Sequence, residues 1–107
     1  MSGIKTTAED RKFSKMIRER AGWRCQRCGR QYVPPTNALH CAHNFTRRTK
    51  ATRFDEFNAL ALCYGCHQYV DSHSDAKEKL FRDWFGDDQY EITAALAHEK
   101  RDRTSHV

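Results

Sequence analysis

Two Cys-x-x-Cys pairs, Cys25-Gln26-Arg27-Cys28 and Cys63-Tyr64-Gly65-Cys66, are the residues whose types and spacing most directly imply chemistry. Two residues between cysteines let both sulfurs face one ion, and Gly29 after the first pair permits the tight turn this needs. Four thiolates suit Zn²⁺, and a closed tetrahedral sulfur site leaves no position for water or substrate, so this metal is expected to be structural. The 34 residues of 29–62 separate the pairs, more than the about 15–20 of a plain four-cysteine ribbon. A structured insertion must therefore lie between them. It carries His40-Cys41-Ala42-His43 and then Asn58, and His67 directly follows Cys66. A neutral imidazole, with an ordinary pKa of about 6.5, can take a proton from water at neutral pH or bind a divalent ion. Cys41, the fifth cysteine, reads as a small packed hydrophobe on a strand. His98 and His106 lie outside the insertion and read as surface or structural residues.

The elements that must position these groups can be read from caps and periodicity. Thr7, with Asp10 three residues on, predicts a helix over 8–21 with Phe13, Met16, Ile17 and Ala21 on its apolar face and Gly22 as its stop. Short strands are expected over 38–43 and 58–62, joined by a polar loop over 44–57 that holds Arg47, Arg48, Lys50 and Arg53. Arg53 could pair locally with Asp55. A helix should open at His67, and a second, capped by Ser74, should run over 75–85 with Leu80, Phe81, Trp84 and Phe85 on one side and Gly86 as stop. A last helix over 88–100 is expected to bury Ile92, Ala95 and Leu96, while 1–6 and 101–107 read as disordered. The fold class that follows is α+β: a single zinc-stapled domain over 1–107, with a two-stranded antiparallel hairpin flanked by helices.

Composition agrees with a stapled domain. The chain has 107 residues, 38% of them hydrophobic and 31% charged, and a mean hydropathy of -0.91, so little apolar surface is available to offset chain entropy. No N-terminal apolar run resembles a signal peptide and no stretch is apolar enough to span a membrane, which predicts a cytoplasmic protein whose cysteines hold metal rather than form disulfides. Nineteen Lys and Arg against 14 Asp and Glu give a net charge of +5, the sign expected of a partner for polyanions.

The ordered set of His43, Asn58 and His67 between the two cysteine pairs resembles the ββα-metal, or HNH, endonucleases, in particular the small phage and prophage proteins with two zinc knuckles. The resemblance covers 25–73. It implies that His43 is the general base, that Asn58 holds the His43 ring by an amide hydrogen bond, and that His67 binds a catalytic Mg²⁺, Mn²⁺ or other divalent ion. The family usually has a metal-binding Asp or His just before the base, where this chain has Ala42. His40 is the substitute, provided the strand is bulged or already turning, because strict alternation puts His40 and His43 on opposite faces. A third ligand would come from His73 or Asp71, with His73 preferred because Ser72 and Ser74 could break the helix there. Arg47, Arg48, Lys50 and Arg53 would track the DNA backbone. The implied activity is cleavage of DNA with low sequence selectivity by a monomer or homodimer, with phage packaging or recombination proteins as implied partners. The competing readings are a non-catalytic zinc-ribbon module that binds nucleic acid and a degenerate nuclease lacking the ligand at Ala42.

Overall fold

The computed structural model describes residues 6–105, with side chains over 6–98. The disorder expected of 1–5 and 106–107, and His106 with it, lies outside the described residues. The elements are α1 (Ala8–Arg20), β1 (Leu39–His43), β2 (Ala59–Cys63), α2 (Tyr64–Ser72), α3 (Ser74–Phe85) and α4 (Asp87–Ser105), with one 3-10 turn at Glu56–Asn58 before β2. This is a mixed α+β architecture of four helices and one two-stranded antiparallel sheet. Among the described residues no helix is long and apolar enough to cross a membrane.

The start of α1 is built as expected. The Thr7 hydroxyl accepts from the Asp10 amide at 3.1 Å while the Asp10 carboxylate accepts from the Thr7 amide at 2.8 Å, a complete capping box. Phe13 and Ile17 are buried one helical turn apart, but Met16 is 39% exposed. Beyond α1, Gly22 and Trp23 both take positive φ, 65° and 59°. Trp23 holds this uncommon conformation for a bulky residue because its carbonyl accepts from the Tyr32 amide at 2.9 Å and the Arg18 guanidinium lies over its ring.

The hairpin determines which side chains can meet. Its register is unbroken, from Leu39 opposite Cys63 to His43 opposite Ala59. Residues directly opposite share a face. Leu39, Cys41 and His43 therefore point one way with Ala59, Ala61 and Cys63, whereas His40 and Ala42 point the other way with Leu60 and Leu62. The first face meets α1, where the His43 and Phe13 rings lie 5.7 Å apart. The second meets α2, where His40 lies 5.9 Å from the Tyr64 ring and 5.2 Å from that of His67. Covered on both sides, Ala59, Leu60, Ala61 and Leu62 are all fully buried, so β2 reads as a continuous apolar run rather than an alternating one.

Three expectations about the helices are corrected. α2 begins at Tyr64, not His67, because the second cysteine pair straddles its start, with Cys63 as N-cap and Cys66 in the first turn. Ser74 is the first residue of α3 rather than its cap, a position His73 takes with no side-chain capping bond. α4 starts at Asp87, continues through 101–105, and buries Thr93 and Ala97, while Ile92 is 55% and Leu96 38% exposed and Ala95 is also exposed. The helix is turned because Tyr90 is drawn inward, under the Arg82 guanidinium at 4.3 Å and against Phe45, and the small Thr93 and Ala97 follow it on the same side. The expected stop at Gly86 is present, with φ 86° and its amide donating to the Arg82 carbonyl at 2.7 Å.

The core comprises Phe13, Ile17, Leu39, Leu60, Leu62, Val70 and Phe81, drawn from α1, the hairpin, α2 and α3. Phe81 is fully buried, so Phe81→Ala is expected to destabilise the protein by about 3–5 kcal/mol. Ile92→Ala should change stability by no more than about 0.5 kcal/mol. Denaturant unfolding of the two variants side by side checks the phase of α4.

Candidate functional site

The first cysteine pair sits on a small knuckle closed by the bridge between Arg24 and Gln31 and by the Cys25 amide donating to the Arg30 carbonyl at 2.9 Å. Gly29, at φ 82°, makes the reversal, and its amide donates to the Cys25 carbonyl at 3.0 Å. Gln26 docks this knuckle onto β2: its amide donates to the Ala61 carbonyl at 2.7 Å and its side-chain oxygen accepts from the Ala61 amide at 2.8 Å. Cys25 and Cys28 are thereby carried to Cys63 and Cys66 at the start of α2.

The four sulfurs lie within 4.8 Å of one another, and Cys28 and Cys63 are 3.9 Å apart. A tetrahedral ion with metal–sulfur bonds of about 2.3 Å needs sulfur–sulfur edges of about 3.8 Å. The group can hold a metal ion, and its donors and spacing are compatible with structural zinc. Burial raises the Cys25 thiol pKa, but hydrogen bonds from the Cys28, Cys63 and Arg27 amides outweigh this and bring it down to about 7. Arg27 donates to the Cys66 sulfur at 3.4 Å while its guanidinium lies 4.3 Å over the Tyr69 ring, tying the two halves of the cluster together.

His43 is half-buried at the end of β1, beside a cleft of about 420 Å³ lined also by Asp10, Arg11, Arg18, Cys41 and Arg47. Its Nε2 lies 3.1 Å from the Arg53 carbonyl. A carbonyl only accepts, so Nε2 carries the proton and Nδ1 keeps its lone pair. Burial lowers the His43 pKa below its ordinary value, opposed by the Arg53 carbonyl and assisted by the charge of Arg47, and so favours the neutral ring. Cys41 is on the same face, and burial pushes its thiol up to about 12, which agrees with a packed rather than a nucleophilic role.

His40 and His67 meet on the opposite face. Their Nδ1 atoms are 3.0 Å apart, and His67 Nε2 lies 3.3 Å from the Asp71 carboxylate, which also pairs with Lys77 at 3.1 Å. Burial lowers the His67 pKa, with Asp71 opposing. β1 has no bulge, so the condition under which His40 and His43 would share a face is not met. His73 does not join His40 and His67: its Nδ1 bonds the Tyr69 carbonyl at 2.8 Å and its ring stacks on Tyr69 at 4.2 Å. The helix does break at His73, between α2 and α3, as expected, but the carboxylate that reaches His67 is that of Asp71, one turn along α2.

Asn58 is fully buried, and its amide hydrogen-bonds the loop backbone rather than the His43 ring. Its oxygen accepts from the Phe45 amide at 2.8 Å, and its nitrogen donates to the carbonyls of Phe45 and Thr52, each at 2.9 Å. The amide clamps both ends of the 44–57 loop, whose backbone in turn holds His43. Arg53 pairs with Asp10 rather than with Asp55, through Nε at 3.0 Å and Nη2 at 2.5 Å, and Asp55 instead caps the Phe57 amide. Arg47 approaches the same carboxylate at 3.3 Å. Arg53 holds the buried Asp10 carboxyl well below the usual carboxylate range against the opposing effect of burial. Arg48 and Lys50 are exposed and pair with no other described residue. Asp10 was legible only as a capping residue, since nothing local marks a partner in a loop distant along the chain. Gln26, inside the first pair, likewise carries no sequence signal for its pairing with Ala61.

No known protein family, curated protein or solved structure matches this chain. Among the described residues, the four cysteines form the one group of three or more His, Cys, Asp or Glu donors close enough to share an ion.

Stripping the metal with a chelator should unfold the first knuckle and loosen α2, since no disulfide links the cysteines. Circular dichroism and thermal unfolding with and without chelator check this: a cooperative loss of structure, restored by zinc, is expected.

Proposed function

We propose that this chain is a zinc-stapled, metal-dependent endonuclease of the HNH type that hydrolyses DNA phosphodiester bonds with low sequence selectivity, with His43 as the general base. The observation that carries the reading is the placement of His43 beside an arginine-lined cleft with its Nε2 held at 3.1 Å by the Arg53 carbonyl, which leaves Nδ1 as the nitrogen that can accept a proton. In this role Nδ1 takes the proton from the attacking water, and the imidazolium then releases it to solvent. Cys25, Cys28, Cys63 and Cys66 hold the structural zinc, an arrangement suited to a reducing cytoplasm.

His40 and His67 are the residues that would hold the catalytic divalent ion. Two nitrogens bound to one ion at about 2.1 Å and at right angles lie about 3.0 Å apart, the separation of their Nδ1 atoms. When bound, such an ion supplies charge stabilisation at the scissile phosphate and the leaving oxygen. Asp71 lies 3.3 Å from His67 Nε2, on the side of the ring away from the nitrogen that meets His40. From there its negative charge would favour an Nε2-protonated His67 whose Nδ1 is free to bind the ion. Arg48 and Lys50, exposed and without acidic partners among the described residues, are the loop cations available to DNA phosphates. Arg47 and Arg53 act chiefly on Asp10.

A second reading, a non-catalytic zinc module that binds nucleic acid, is favoured by one observation: among the described residues no third donor converges with His40 and His67.

Cleavage of supercoiled plasmid by zinc-loaded protein separates the two. Nicking is expected with added Mg²⁺ or Mn²⁺, none with EDTA, and none in a folded, zinc-loaded His43→Ala variant. DNA binding without cleavage under every metal would select the binding module. Because the pKa of His43 is lowered, the rate should rise with pH to a plateau, with its acid limb centred below about 6.5. A limb centred above that value would contradict His43 as the base.

A further inference from the structure

The ring of His43 is aimed by one carbonyl, that of Arg53, and that carbonyl lies in an irregular loop. Asn58 secures the loop at Phe45 and Thr52, but the guanidinium of Arg53 itself reaches α1. There Asp10 meets it with both carboxylate oxygens, Nε on Oδ1 at 3.0 Å and Nη2 on Oδ2 at 2.5 Å. The two-point fork fixes the orientation as well as the position of the arginine. Asp10 is in turn held firmly, since it is buried at 7% exposure and accepts from the Thr7 amide at 2.8 Å and the Thr7 hydroxyl at 3.0 Å.

We infer that Asp10 is a positioning residue for His43: its ion pair with Arg53 fixes the Arg53 carbonyl that accepts from His43 Nε2, and so fixes the tautomer and aim of the imidazole. The catalytic consequence rests on the role proposed above for His43; the tautomer itself does not. The side chain and carbonyl of Arg53 belong to one residue, so movement of the guanidinium away from Asp10 is transmitted to the carbonyl over a few bonds. An ordinary capping acid, by contrast, would affect only the start of α1.

Asp10→Asn removes the charge of the pair. Arg53→Lys removes the fork but leaves the capping box of α1 in place. In each zinc-loaded protein the tautomer of His43 is read by long-range proton–nitrogen correlation NMR, beside kcat and KM on plasmid DNA. The wild type should show a single Nε2-protonated form. Both variants should show mixed tautomers, with kcat lower by about 10- to 100-fold and KM little changed. Retention of the single Nε2-protonated form in a folded variant overturns the inference. Should Asp10→Asn fail to fold, Arg53→Lys decides by the same criterion. A tautomer shift in a protein that cleaves no DNA would uphold the positioning role while removing the nuclease reading, so the two fail separately.

Discussion

The convergence of four sulfurs from two distant stretches of chain is the constraint on which the rest of the structure depends. Cys25 and Cys28 sit on a knuckle with almost no apolar residues of its own, and Cys63 and Cys66 join β2 to α2. The core is a modest set of side chains in a strongly polar sequence, so its burial alone leaves little margin over conformational entropy. A structural zinc ion, whose binding to such ligands is worth about 10–16 kcal/mol in small domains, would supply that margin. It would also set geometry. With the knuckle locked to α2, Gln26 pairs with Ala61 and Trp84 donates to the Gln26 carbonyl at 2.7 Å, so α3 is drawn onto the same assembly.

The hairpin then distributes the histidines. Its unbroken register sends His43 toward α1 and His40 toward α2, and each face completes its group with side chains from its own helix. On one face burial favours the neutral form of His43, whose Nε2 meets a carbonyl; on the other, the Nδ1 atoms of His40 and His67 meet and the Asp71 carboxylate lies 3.3 Å from His67 Nε2. The loop between the strands is more than a basic patch, because two of its four cations meet Asp10 and only Arg48 and Lys50 are exposed without acidic partners among the described residues.

Features set by local rules were legible in the sequence. The Thr7 capping box, the two strands, the Gly86 stop and the pairing of Cys-x-x-Cys units follow from spacing and backbone preference. Features set by tertiary contact were not. The phase of α4 depends on Tyr90 meeting Arg82 and Phe45, which outweighs the apolarity of Ile92 and Leu96. Asn58 could be picked out as a site residue, but whether its amide turns to a ring or to the Phe45 and Thr52 backbone depends on the path of the loop. The break at His73 was legible from Ser72 and Ser74, but His73 is diverted by a stack with Tyr69 that its spacing does not announce. Asp10 and Arg53 are joined across most of the fold, and no window along the chain contains both.

X-ray absorption at the zinc edge of the purified protein tests most directly whether a metal staple underlies this fold. Four sulfur scatterers at about 2.3 Å and no nitrogen or oxygen in the first shell are the predicted result. A first shell containing nitrogen or oxygen, or a folded protein with no bound metal, would contradict it.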